Sequence, residues 1–234
     1  MADERKLLDR SSSAEVAAFL EKVAIAPQAP QGEGKGRLIF AMDATGSRGP
    51  TWDRACHIQA QMFTETDALG GLEVQLIYYR GFGECRASPW VGKTKELLRF
   101  MTRVYCLAGH TQIRKVLKRA IKETEQKKVG ALVFVGDALE EDIDELGHLA
   151  GKLGLLGLPC FMFHEGFDVA ARNAFKQIAR LSGGAYAPFD ANSPQQLRDL
   201  LAAVAVYAAG GRPALVDYSR KTGGVVPQLT HQVK

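Results

Sequence analysis

Cysteine is scarce in this chain and nowhere paired: Cys56, Cys85, Cys106 and Cys160 are widely spaced, with no Cys-x-x-Cys pair. That spacing argues against a disulfide framework and reads as buried free thiols in a reducing compartment, which makes a cytoplasmic protein the expectation. Long apolar runs are missing as well. The longest tract, Leu153 to Phe163, is too short and too broken by glycine to span a bilayer, so no membrane association is expected. Met1-Ala2-Asp3-Glu4-Arg5-Lys6 has no apolar segment behind it, so no signal peptide is read. Charge of one sign is not concentrated either. Lys and Arg total 30 against 26 Asp and Glu, a net +4, well short of the basic character of a dedicated nucleic-acid binder. No internal repeat is visible, and His57, His110 and His148 show no metal-ligand spacing.

What is present is hydrophobic content of 46% in 234 residues, enough for one well-cored domain with short extensions. The informative stretch is Arg37 to Trp52. Leu38 to Met42 is an unbroken apolar run, as in a strand covered on both faces. It ends in Asp43-Ala44-Thr45-Gly46-Ser47. Asp43, Thr45 and Ser47 alternate along a loop, so three oxygens can turn to one point. Hard oxygen donors of this kind suit Mg²⁺, with Mn²⁺ or Ca²⁺ as alternatives.

Around that stretch the chain alternates strand and helix. Ser12-Ser13-Ala14-Glu15 reads as a capping box ahead of a short amphipathic helix, and Pro27 to Gly36 reads as a linker. A helix is expected from Thr51 to Leu69, a strand from Val74 to Tyr79, an antiparallel edge strand from Glu84 to Ser88, and a helix from Lys95 to Tyr105. Ile113, Val116, Leu117, Ala120 and Ile121 mark the clearest amphipathic helix. Arg114, Lys115, Lys118, Arg119 and Lys122 on its other face read as a solvated surface rather than a nucleic-acid site, since no aromatics interleave. Ala131 to Val135 is a second buried strand, running into Asp137. A helix from Glu140 to Leu153, a strand from Pro159 to Phe163, another helix, and a short strand from Ala185 to Phe189 follow. Ser193 caps a last helix that stops at Gly210-Gly211, and Arg212 to Lys234 reads as a polar tail, disordered or packed as an arm. The fold class is α/β: a doubly wound, mostly parallel sheet with helices on both faces.

Asp43, Thr111 and Asp137 taken singly are ordinary turn or cap residues. Together they lie at strand carboxyl ends or at the helix starts that follow, on one edge of one sheet, where α/β proteins bind ligands. Two carboxylates converging there repel unless a cation joins them.

The ordered set Asp43-x-Thr45-x-Ser47, then Thr111, then the strand-end Asp137 resembles the von Willebrand factor type A domain and its metal-ion-dependent adhesion site. Thr45 departs from that family's usual Asp-x-Ser-x-Ser. The resemblance implies a domain over residues 37–211, flanked by an N-terminal helix and linker (1–36) and a C-terminal tail (212–234), with Glu84 to Ser88 as the one antiparallel edge strand. It further implies Mg²⁺ held by Asp43, Thr45, Ser47, Thr111 and Asp137, with a partner protein's Asp or Glu completing the coordination: a binding module, not an enzyme. Arg48, His110, His164 and Glu165 are then candidates for a partner-binding rim. Asp43-Ala44-Thr45-Gly46 also looks like the nucleophile loop of haloacid dehalogenase-type phosphatases, which would make Asp43 a nucleophile. Thr45 in place of the second acid, and Gly49-Pro50 leading straight into a helix, count against that alternative.

Overall fold

The computed structural model describes residues 35–66, 69–189 and 194–222. Its elements are β1 (Gly36–Asp43), a 3-10 turn (Gly46–Arg48), α1 (Gly49–Ile58), α2 (Ala60–Thr66), β2 (Leu72–Arg80), β3 (Glu84–Ala87), α3 (Thr94–Met101), α4 (Ile113–Gln126), β4 (Ala131–Gly136), α5 (Ile143–Leu155), β5 (Cys160–Glu165), α6 (Val169–Ser182), β6 (Tyr186–Phe189) and α7 (Pro194–Thr222). The six strands form one sheet in the order β3-β2-β1-β4-β5-β6. All pairings are parallel except β2 with β3, the antiparallel edge expected from the sequence.

Two cores follow from the two-residue alternation of strand side chains. Leu38, Phe40, Met42, Val133, Val135, Phe161 and Phe163 face one way, onto Trp52, Met62, Leu97 and the Leu200 to Tyr207 stretch of α7. Ile39, Ala41, Ile77, Leu132, Phe134 and Met162 face the other way, onto α4, α5 and α6 through Val116, Leu117, Leu149, Phe175 and Ile178. Both faces of β1 and β4 are therefore covered, which is why their sequences are continuous apolar runs rather than alternating ones.

Several boundaries differ from the sequence-based expectation. The helix expected from Thr51 to Leu69 is split near Gln59, where the Met62 N–H reaches the Gln59 carbonyl at 3.2 Å in a tighter turn. Gly70 and Gly71 do end the unit, with φ of 91° and 86°. The α5 helix starts after Asp142 rather than at Glu140, because the Asp142 carboxylate accepts the Glu145 N–H at 2.8 Å as an N-cap. The last helix stops at the glycine pair as expected: Gly211 breaks it (φ 68°, ψ −165°). Helical backbone then resumes to Thr222, in the segment the sequence reads as a polar tail, and buries Leu215, so α7 is two helical segments across a kink. Within it, Leu197–Tyr218 is long and apolar enough to cross a membrane by length and composition, with 61% of that window buried inside the fold. Its burial against β1, β4 and β2 accounts for that composition. The expected helix after Ser12 and the Ser193 cap lie outside the described residues.

Candidate metal centre

The register sets the site. Asp43 ends β1 opposite Tyr79 of β2; Gly136 ends β4 opposite His164 of β5, so Asp137 follows at the level of Glu165. Three strand ends thus bring three carboxylates to one edge.

Asp43 is fully buried, and both its oxygens are engaged. Oδ1 accepts the Thr45 N–H at 2.7 Å and Oδ2 accepts the Tyr79 hydroxyl at 3.0 Å. Burial raises the Asp43 pKa; its hydrogen bonds to Thr45 oppose this, and the charge of Asp137 adds to the rise. The Thr45 carbonyl accepts the Arg48 N–H at 3.0 Å, closing the 3-10 turn that turns Ser47 outward. The exposed Ser47 hydroxyl donates to Asp137 Oδ2 at 2.9 Å. These contacts bring Asp43, Thr45, Ser47 and Asp137 together.

Thr111 joins them through another residue. The Glu140 N–H donates to its hydroxyl at 3.0 Å, and its own N–H donates to the Glu140 carboxylate at 3.1 Å. Glu141 accepts the Ile113 and Arg114 N–H groups at 2.5 Å and 3.0 Å. The loop after β4 thereby caps α4 in place of a local N-cap side chain, and favours the helix N-terminus with negative charge. Thr111 is held to the loop that carries Asp137; its hydrogen bonds go to Glu140 and not to Asp43, Ser47 or Asp137.

The expected rim needs correction. The sequence places Arg48 and His164 at a surface, whereas the structure buries both, at 2% and 0% exposure. Arg48 is drawn inward by charge: its Nη1 lies 3.7 Å from Asp137 and contacts Glu165. Thr51 donates to the same Glu165 carboxylate at 2.5 Å. Two of the three guanidinium nitrogens, Nε and Nη2, are buried without a hydrogen-bond partner among the described residues. His164 stands between Tyr186, 3.0 Å from Nδ1, and the Asp137 carbonyl, 3.3 Å from Nε2. Burial lowers its pKa. Glu165 is half-buried. His110 is exposed, 2.8 Å from Glu140 and edge-on to the exposed Phe82. Beside it a cleft of about 400 Å³ opens between Phe82, Thr111, Arg114, Glu141 and Glu145.

Among the described residues no cluster of three or more His, Cys, Asp or Glu is arranged to hold a metal. The candidate set is of another kind: two carboxylates, Asp43 and Asp137, with the hydroxyl of Ser47. It is all hard oxygen, and the buried, pKa-raised Asp43 is a carboxylate that a cation would relieve. The residues therefore fit a small divalent ion in chemistry. Sequence reasoning overlooked Tyr79, Glu140 and Thr51. Tyr79 was findable through the β1–β2 register alone; the other two act across distant loops.

No sequence-family model matches the chain, and no curated protein sequence does. Solved structures do match in fold. The SpRpn10 VWA domain superposes with a TM-score of 0.56 at 15% identity, over 71% of this chain and 94% of that one. The vWF domain of the type V pili tip protein Mfa5 from Porphyromonas gingivalis gives 0.57 at 11%, over 74% and 95%. A D319A mutant of the PilB minor pilin from Streptococcus sanguinis gives 0.58 at 10%, over 80% and 64%. The chain has the von Willebrand factor type A fold.

Proposed function

We propose that the protein is a metal-dependent protein–protein interaction module. In this reading Asp43, Thr45, Ser47, Thr111 and Asp137 hold Mg²⁺, directly or through water, and a Glu or Asp of the partner completes the coordination. Mn²⁺ and Ca²⁺ are the alternative ions. The observation that carries it is the Ser47–Asp137 contact at 2.9 Å, which joins the first and last motifs across 90 residues. A bound divalent ion supplies an electrophilic position for an incoming carboxylate. The chain's own residues do the rest: Thr45 and Tyr79 orient Asp43, and the Glu140 loop holds Thr111. The exposed Phe82, Tyr105, Leu107 and Phe167 supply apolar contact area for a protein surface. The free cysteines favour a reducing, cytoplasmic setting.

The phosphatase alternative is disfavoured by the loop that follows Asp43, where Thr45 stands in place of a second acid. The 3-10 turn also runs directly into α1, with no insertion for a covering flap.

The test is an affinity capture from the source cell with Mg²⁺ or with EDTA, comparing wild type with Asp43→Ala. A partner retained by wild type with metal alone supports the reading; one retained equally under all conditions overturns it. Metal-dependent phosphomonoester turnover lost in Asp43→Asn would favour the enzyme instead.

A further inference from the structure

Arg48 is the residue the metal-centre reading does not absorb. It sits at 2% exposure between the Asp137 and Glu165 carboxylates, and its charge also reaches Asp43. A guanidinium presents five donors in a planar fork and is costly to bury incompletely paired. Here Nε and Nη2 have no partner among the described residues, so the pairing is strongly one-sided. The charge balance is equally incomplete. Three carboxylates (Asp43, Asp137 and Glu165) face one guanidinium, a deficit of two positive charges that matches one divalent ion.

The two contacts of Nη1 are unequal. The one with Glu165 is the closer, and Glu165 is further fixed by Thr51 at the start of α1; the one with Asp137 is long, at 3.7 Å. Arg48 follows Ser47 directly in the chain, so its position is tied to that of a proposed ligand. A cation at Asp137 and the Arg48 guanidinium compete for one carboxylate oxygen, Oδ2, which Ser47 also contacts.

Resting on the metal-centre reading given above, we propose that Arg48 is a tethered competitor cation: it occupies Asp137 in the metal-free protein and yields to the incoming ion by withdrawing onto Glu165. Glu165 is the parking site that makes the exchange possible, and both act as positioning residues that set the affinity and selectivity of the centre. A singly charged, poorly satisfied internal cation holds the apo site together while leaving a doubly charged ion the better occupant.

The experiment is Mg²⁺ and Mn²⁺ titration calorimetry on the full chain, with thermal unfolding in EDTA and in saturating Mg²⁺. It compares wild type, Arg48→Gln, Glu165→Gln and the double variant. Arg48→Gln is expected to lower the unfolding temperature in EDTA and to tighten Mg²⁺ by about ten-fold, since a nearby like charge is removed. Glu165→Gln is expected to weaken Mg²⁺ by about ten-fold, most of that loss disappearing in the Arg48→Gln background, as coupling through one residue requires. If Arg48→Gln does not fold, Arg48→Lys is measured in its place. Its compact ammonium reaches Glu165 without bridging to Asp137, so the same direction is expected. A variant equally destabilised with and without metal, its Mg²⁺ affinity unchanged, overturns the exchange and leaves the metal centre standing. Metal binding by neither wild type nor variant overturns both. Equal Glu165→Gln losses in both backgrounds reduce Glu165 to a bystander charge and also overturn the exchange.

Discussion

The Ser47 hydroxyl and the Asp137 carboxylate, 90 residues apart in the chain, meet at 2.9 Å. The contact ties the loop after β1 to the loop after β4, which are neighbouring strands in the sheet. Its short reach follows from the parallel register of Met42 with Val135, which leaves the two strand ends level.

That contact gives the first prediction. A ligand that binds only the folded chain stabilises it by about 2.7 kcal/mol at a free concentration a hundred times its dissociation constant. Mg²⁺ is expected to raise the unfolding temperature of the wild type, and EDTA to reverse the rise. Asp137→Asn and Asp43→Asn should abolish the response. Ser47→Ala should weaken it while changing the EDTA curve little, because Ser47 is exposed. Differential scanning calorimetry with and without chelator decides it.

Tyr79 gives the second. Its ring is fully buried and stacked 6.2 Å from Phe134, so Tyr79→Phe keeps the packing and removes only the donor to Asp43. The loss leaves a buried carboxylate oxygen unsatisfied, at a cost of about 1–3 kcal/mol in metal-free protein. Because the penalty falls on the ionised form, the gap between Tyr79→Phe and wild type should narrow as pH falls and Asp43 takes up a proton. Denaturant unfolding in EDTA at several pH values measures it.

The fold was largely legible because its signals are local. Leu38 to Met42 and Ala131 to Val135 are apolar runs that only a doubly covered strand needs, and the antiparallel edge follows from the turn at Gly81 to Gly83. Asp43, Ser47 and Asp137 were readable for the same reason: each follows directly from such a run. Arg48 was not, because what buries it, the carboxylates of Asp137 and Glu165, comes from two other strand ends. His164 was readable in principle. The alternation that turns Cys160 and Met162 into the α4–α6 core turns His164 the same way, against Phe175. The helical segment after Gly211 was not legible, because a glycine pair followed by Pro213 reads as a stop.

Burial of His164 gives a pH dependence. Its folded pKa is lowered, first by desolvation, with Arg172 adding to the fall and Asp168 and Asp137 opposing it. A histidine with a depressed folded pKa takes up its proton more readily in the unfolded chain. Its contribution is therefore fully present above the ordinary value near 6.5 and is lost as pH drops below it, at no more than about 1.4 kcal/mol per pH unit. Stability measured by urea denaturation should fall from pH 7 toward about pH 5, and His164→Gln should flatten that part of the curve. An unchanged slope in the variant would assign the dependence to carboxylates instead.

Gly109 offers the sharpest test of how Thr111 is positioned. A Cβ there would lie 2.0 Å from the Gly81 carbonyl oxygen and 2.4 Å from its Cα, backbone atoms with no freedom to yield. The same carbonyl accepts the His110 N–H and the Gln112 side-chain amide, each at 3.2 Å, so the loop before α4 is laced to the turn after β2. Gly109→Ala must separate the two, and overpacking of this kind costs about 1–3 kcal/mol. Gly81→Ala meets only the flexible Leu107 side chain, at 3.3 Å, and strains a φ of +57°, so its cost should be nearer 1 kcal/mol. Glu140 and Glu141 still cap α4 in both variants, so its helix content should persist by circular dichroism. If Thr111 belongs to the metal centre, Gly109→Ala should lose Mg²⁺ affinity beyond its loss of stability, whereas Gly81→Ala should not. Equal Mg²⁺ affinity in both variants would remove Thr111 from the ligand set.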